Sequence, residues 1–279
     1  MFELAADSSG FSAQALEINN IFSSLLNSLA GQSLIFDNLV GLVLKNNLVK
    51  AGIIGACFFA AWHEKKTILE TVSARKILLA TLFAIVAVLA TMRVISHSVL
   101  IPRTFVQTQK IYFLEENRLV ENVPVQYRLP LDETSRKDFR DLRHGDVDVN
   151  NLGSFPSDHA GFFLALSLGI CFASRRFGIV ALVWTLCIIY PSKLISGQHT
   201  LLDIAAGAMV GAVLLLACQF LANGRADKYL NYLSEWTIKN RVWSSALLFV
   251  VVFELTSTLT HVREFLRFAA TAGKFFLTS

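Results

Sequence analysis

The sequence has no large excess of positive or negative charge. Lys and Arg number 25 against 21 Asp and Glu, which gives a net charge of +4. Binding to nucleic acid requires a strong basic surface, so the sequence gives no support for a nucleic-acid partner. The first twenty residues also lack a basic segment followed by an apolar core. That pattern marks a cleavable signal peptide, so we expect membrane insertion to depend on internal segments.

The sequence is also poor in metal-binding patterns. Its four cysteines lie in apolar runs and lack the paired spacing of a zinc site. No acidic cluster offers the oxygen ligands that a magnesium site requires. We therefore expect no metal and no other cofactor.

Apolar residues are abundant instead. The 279 residues are 54% hydrophobic, with a mean hydropathy of +0.52, which indicates an integral membrane protein. We predict an all-α fold, a six-span transmembrane helical bundle with interfacial helices and a long extracytoplasmic loop. The predicted spans are 46–62, 77–101, 157–174, 177–189, 199–221 and 242–259, and Pro191 is expected to end the fourth.

The spans divide the chain into three regions. Residues 1–45 form a polar N-terminal segment with one interfacial helix over 33–44. Residues 46–260 form the six-span domain, whose long loop is 104–155 and contains a short surface helix near 135–142. Residues 261–279 form an interfacial tail.

Positive charge is concentrated in three short links of this arrangement. These links face the same side of the membrane in the six-span topology. Their charged residues are Lys65, Lys66, Arg75, Lys76, Arg175, Arg176, Arg225, Lys228, Lys239 and Arg241. Because short basic links stay cytoplasmic, we expect the loop 104–155 to face outward.

Polar residues interrupt two apolar segments between positions 151 and 207. His199 and Asp203 are four apart, so on a helix they share one face. Ser157 and His159 follow Pro156 at the start of another apolar run, where helix N–H groups can hold an anion. With Lys193, this set fits a phosphate site. Taken singly, the His–Asp pair also fits a helix surface pair, and the lysine a group that reaches the lipid headgroups.

These residues resemble two motifs of the type 2 phosphatidic acid phosphatase superfamily. The second motif, Pro-Ser-Gly-His, is matched by Pro156–His159 with Asp158 in place of Gly. The third motif is Ser-Arg, five residues, His, three residues and Asp. It is matched by Ser192-Lys193, His199 and Asp203, with Lys in place of Arg.

The first motif, Lys, six residues and Arg-Pro, is degraded here. Its candidates are Arg93 and Arg103, nine residues apart, with Pro102 before the second arginine rather than after it. The resemblance therefore covers roughly residues 75–222.

The resemblance implies a role for each matched residue. His199 is the expected nucleophile, Asp203 its orienting carboxylate, and His159 the acid that protonates the leaving oxygen. The phosphate-binding residues are expected to be Arg93, Arg103, Ser157 and Lys193.

The same resemblance implies a metal-independent phosphatase acting on a membrane lipid phosphate. The Pro-Ser-Asp-His variant is similar to the bacitracin-resistance type of undecaprenyl diphosphate phosphatase, which favours that diphosphate as substrate. The alternatives are phosphatidic acid, phosphatidylglycerol phosphate or lipid A as substrate, phosphotransfer to another lipid, or a non-catalytic lipid-binding protein of the same fold. The expected location is a bacterial inner membrane, with the site facing the periplasm; the sequence does not indicate an oligomeric state.

Overall fold

Most of the chain is helical. The computed structural model describes residues 10–99, 101, 103, 112–115, 118–121, 127–144 and 153–256. The helices in these ranges are α1 (Gly10–Asn27), α2 (Leu34–Lys45), α3 (Asn47–His63), α4 (Ile68–Ser98), α5 (Glu133–His144), α6 (Asp158–Ala173), α7 (Arg175–Trp184), α8 (Tyr190–Ile195), α9 (Leu201–Asn223), α10 (Asp227–Lys239) and α11 (Arg241–Thr256). A π-helical segment, Thr185–Ile189, joins α7 to α8.

One short hairpin interrupts the helical architecture. Strands β1 (Tyr112–Glu115) and β2 (Arg118–Glu121) pair antiparallel, within the region predicted as a long loop. Four-residue strands carry little periodicity, which is why the sequence pattern did not indicate them.

The chain divides into two compact units. The first unit comprises residues 1–45, 88–164 and 185–213, and the second comprises residues 46–87, 165–184 and 214–279. All seven predicted site residues fall within the first unit.

Several helices have the length and composition of membrane spans. Ile68–Ser98, Arg175–Ile195 and Leu201–Asn223 each meet this description among the described residues. Helices α2 and α3 meet it as a pair bent by 59°. These three or four candidates agree with a membrane protein, whereas the six-span count remains a prediction. Helix α6 is apolar but has only 16 residues.

The predicted helices at 33–44, 46–62, 135–142, 157–174 and 199–221 are present as α2, α3, α5, α6 and α9. Asn46 begins α3 because its side chain accepts hydrogen bonds from the N–H groups of Leu48 and Val49. The predicted sixth span corresponds to α11 as far as Thr256. Its last residues and the tail 261–279 lie outside the described residues.

The fourth predicted span does not end at Pro191. The helix runs from Arg175 to Ile195 through the π-helical segment, and Pro191 lies in the first turn of α8. Proline has no backbone N–H, but an N–H in the first turn of a helix has no hydrogen-bond partner within that helix, so proline is tolerated there. The π-helical turn before α8 also changes the local hydrogen-bond pattern. Lys193 therefore lies on a buried helix end rather than in a separate loop.

Two segments expected to be irregular are helical. The polar link 223–241 contains α10. Residues 10–27 form α1, which packs against α8. Asn19, Ser23 and Asn27 are spaced by four and are all buried, because this polar stripe binds backbone groups inside the first unit.

Candidate active site

A close crossing of α6 and α9 brings the second and third motifs together. A Cβ atom added at Gly211 would overlap the backbone of Gly161, and one added at Gly207 would overlap the carbonyl oxygen of Ser157. The same crossing is joined by a hydrogen bond of 3.0 Å from the Ser157 N–H to the carbonyl oxygen of Asp203. Glycines four apart on α9 allow two helix backbones to touch. The crossing therefore places the start of α6 beside the start of α9.

A glycine-ended cap sets the distance between Lys193 and His199. Gly197 follows the end of α8 with φ +68°, a conformation that favours glycine. Its N–H binds the carbonyl oxygen of Leu194, and the N–H of Gln198 binds that of Lys193. These two bonds form a Schellman motif, which ends the helix and turns the chain toward α9.

The first turn of α9 is capped from three directions. Thr200 and Asp203 form a capping box: Asp203 Oδ2 accepts the Thr200 N–H at 2.7 Å, and Thr200 Oγ1 accepts the Asp203 N–H at 3.3 Å. From α1, Ser23 Oγ accepts the N–H of Leu201 and Asn19 Oδ1 that of Leu202, at 3.1 and 2.9 Å. The N–H groups of this helix terminus are therefore bonded within the protein.

His199 is buried, and its ring is fixed by a backbone group. Nδ1 lies 2.9 Å from the carbonyl oxygen of Ser154 and 3.9 Å from Oδ2 of Asp203. A carbonyl oxygen can only accept, so Nδ1 carries the proton and Nε2 carries the lone pair. The expected hydrogen bond from His199 to Asp203 is not formed here, because Oδ2 lies 3.9 Å from Nδ1; this oxygen accepts the Thr200 N–H instead.

His159 is paired with the residue that replaces glycine in the second motif. Its Nδ1 lies 2.6 Å from Oδ1 of Asp158, which also accepts the His159 backbone N–H at 2.7 Å. A carboxylate at this distance holds the Nδ1 proton and leaves Nε2 for other partners. Asp158 thus points toward its neighbour, and the pair repeats the carboxylate–imidazole arrangement common in acid–base sites.

Two of the three predicted cations are held close to the histidines. Lys193 is buried, and its Nζ donates to Gln198 Oε1 at 2.9 Å. Arg103 is half-buried, and its Nε donates to the carbonyl oxygen of Gly153 at 3.3 Å, just before the second motif. Arg93, by contrast, is exposed on α4. The structure therefore brings Arg103 and Lys193 to the site and leaves Arg93 at the surface.

Ser157 completes the cluster. Its side chain is fully buried, and Oγ has no hydrogen-bond partner among the described residues. Leaving a buried hydroxyl unbonded costs about 1–3 kcal/mol, and a phosphate oxygen would remove that cost.

Burial and neighbouring positive charge act together on His199. Burial lowers the pKa of this imidazole well below its usual range, and the charges of Lys193 and Arg103 lower it further. The neutral ring is therefore the stable form near neutral pH. Neutral imidazole is the form that can attack phosphorus.

Three of these contributions were not indicated by the sequence. The carbonyl oxygen of Ser154 acts through the backbone, which has no residue signature. The caps from Asn19 and Ser23 come from a helix about 180 residues away in the chain. The spacing of four between polar residues in α1 was the sequence signal that could have indicated a buried polar face.

Comparison with known proteins agrees with the motif positions. None of the curated proteins and none of the solved structures compared with this chain matches it. A family model for the PAP2 superfamily matches residues 113–225. This stretch includes Ser157, His159, Lys193, His199 and Asp203, and it begins after both first-motif candidates, Arg93 and Arg103. Over these residues the chain is similar to the PAP2 superfamily, whose members are generally phosphatases.

Proposed function

We propose that this protein is an integral membrane phosphatase that hydrolyses a lipid-linked phosphate or diphosphate through a phosphohistidine at His199. One observation carries the proposal: a buried, neutral imidazole with its Nδ1 proton on the Ser154 carbonyl oxygen and its Nε2 lone pair available. Lys193, Arg103 and His159 lie close enough for their charges to act on it.

The first step transfers the phosphoryl group. His199 Nε2 attacks phosphorus, an N–P bond forms, and the bond from phosphorus to the lipid-side oxygen breaks. His159 gives its Nε2 proton to that departing oxygen while Asp158 holds Nδ1. Arg103 and Lys193 neutralise charge on the phosphoryl oxygens, and Ser157 Oγ donates a hydrogen bond to one of them.

The second step releases phosphate. Water attacks phosphorus, His159 Nε2 takes the water proton, and the N–P bond breaks to regenerate neutral His199. Asp203, 3.9 Å from His199 Nδ1, contributes negative charge beside the imidazolium-like phosphohistidine. Every step is carried by side chains of this chain, so we propose that the reaction is metal-independent.

Undecaprenyl diphosphate is the substrate that we propose, with the monophosphate carrier and inorganic phosphate as products. Support comes from the Asp158 variant of the second motif and from the apolar helices around the site. We place the protein in a bacterial inner membrane with the site facing the periplasm, on the distribution of Lys and Arg in short links.

Phosphate release in detergent with a chelator present tests the proposal. Purified protein should release phosphate from undecaprenyl diphosphate, and His199→Ala should not. A panel with phosphatidic acid, phosphatidylglycerol phosphate and lipid A distinguishes the substrates, and transfer of labelled phosphate to a second lipid identifies a phosphotransferase. If no lipid phosphate is hydrolysed by folded protein, a non-catalytic lipid-binding role is favoured.

A further inference from the structure

A second cluster of positive charge surrounds a cavity in the second unit. The cavity has a volume of about 210 Å³ and lies where the end of α3 and the start of α4 meet the junction of α10 and α11. Lys65, Lys66, Arg75 and Arg241 line it together with His63, and none of its described lining residues is acidic. Two lysines, two arginines and one histidine therefore line one partly open cavity.

Arg75 is the buried member of this cluster. Its side chain is only 5% exposed, and its guanidinium carbon lies 4.7 Å from the centroid of the Trp62 ring. Nη1 donates to Thr237 Oγ1 at 3.0 Å, while Nε is buried without a partner. In the part of the chain that the structure describes, no carboxylate lies within salt-bridge distance of Arg75. A buried cation in this state lacks the counter-charge that such groups normally have.

The other polar groups near the cavity also leave Arg75 without a carboxylate partner. Trp62 also lines the cavity, and its buried Nε1 has no partner among the described residues. The neighbouring carboxylates are paired with other cations: Glu64 binds Arg176 Nε at 2.8 Å and lies 3.9 Å from Lys65 Nζ, and Asp227 binds Lys76 at 2.9 Å. If Arg75 served only to orient the protein in the membrane, its guanidinium would remain exposed to water. Burial of Arg75 beside other cations therefore calls for a different explanation.

We propose that this cavity binds a phosphate group, either in the headgroup of an anionic phospholipid or as free phosphate. Arginine binds two phosphate oxygens at once, and lysines add point charges around them. The volume is below that of pockets for drug-sized ligands, so it fits a headgroup or a small anion. Basic pockets between the ends of membrane helices bind anionic lipid headgroups in this way.

The test uses the full chain and two charge-matched double variants. Lys66→Gln with Arg241→Gln removes two exposed cations of the cavity. Arg225→Gln with Lys228→Gln removes two exposed cations that do not line it. In delipidated detergent samples, stabilisation against heat is measured with inorganic phosphate in one arm. The other arm uses phosphatidylglycerol, with phosphatidylcholine as the neutral comparison.

We expect the cavity variant to bind at least about tenfold more weakly than the wild type, and the control variant to match the wild type. A loss in both arms identifies the phosphate group itself, and a loss with phosphatidylglycerol alone identifies a lipid headgroup. Equal stabilisation of both variants in both arms, or equal stabilisation by phosphatidylcholine, overturns the proposal. Phosphate bound at the candidate active site contributes equally to both variants, and hydrolysis should persist in both because neither alters that site.

Discussion

At the scale of single residues, the proposed chemistry depends on His199. His199→Ala should abolish turnover, because it removes the proposed nucleophile. The fold should remain intact, because the ring is held by one backbone carbonyl oxygen. Asp203→Asn should lose less, since an amide oxygen can still accept the Thr200 N–H and the His199 proton does not rest on Asp203. Phosphate release and circular dichroism on the purified variants measure both effects. Near-normal release by folded His199→Ala contradicts the mechanism.

The two arginines of the degraded first motif should differ in importance. A two-pronged contact from Arg103 to phosphate is worth about 1.5–3 kcal/mol, or one to two decades in rate if it is felt in the transition state. Arg103→Lys should therefore lose at least about tenfold in kcat. Arg93→Lys should be milder because Arg93 is exposed. If Arg103→Lys is active and Arg93→Lys inactive, the assignment of the first motif is wrong.

The pH dependence of turnover follows from the lowered pKa of His199. Neutral imidazole is required for attack, so activity falls on acidification only when this ring becomes protonated. Since burial and the charge of Lys193 lower its pKa, the acid limb of kcat/KM should lie below about 6.5, the ordinary value for histidine. A rate profile in detergent measures this limb. An acid limb above that value contradicts the assignment.

Asp158→Asn tests whether the carboxylate beside His159 contributes to the reaction. The variant removes the carboxylate 2.6 Å from His159 Nδ1, which stabilises the protonated ring that must donate a proton. Asp158→Asn should therefore lower kcat, measured as phosphate release by the folded variant, and a kcat equal to that of the wild type would contradict this role of Asp158.

At the scale of elements, the crossing of α6 and α9 is the feature that assembles the site. Gly211→Ala places a methyl group against the backbone of Gly161, and neither backbone can move aside as a flexible side chain can. We expect a large loss of both activity and thermal stability. Gly55→Ala on α3 is the matched control, because an added Cβ there meets nothing within 4 Å. Equal behaviour of the two variants would show that close helix contact is unnecessary.

The sequence predicted elements well where a long apolar run or a spaced motif was present. Helices α6 and α9 follow from such patterns. It failed at Pro191, because a π-helical segment changes the hydrogen-bond pattern just before the proline. It also failed at α1, whose buried polar stripe is meaningful only beside the α9 terminus that it caps.

At the scale of the whole molecule, the charge distribution predicts which loops face the cytoplasm. In a background with all four cysteines replaced by serine, Arg136→Cys on α5 should react with an impermeant reagent in intact cells. Lys239→Cys on α10 should react only after permeabilisation. Both positions are exposed, so access rather than burial decides the result. The reverse pattern would place the candidate active site on the cytoplasmic side.

The connection between α8 and α9 has a consequence for changes of chain length. Its first end is fixed by the cap at Gly197 and its second by the capping box of Thr200 and Asp203. Only Gln198 and His199 lie between these caps, and Gln198 also binds Lys193. Inserting one residue here would turn the His199 ring away from the Ser154 carbonyl oxygen or break a cap. The two helix caps therefore fix the length of this connection, independently of any requirement of the reaction.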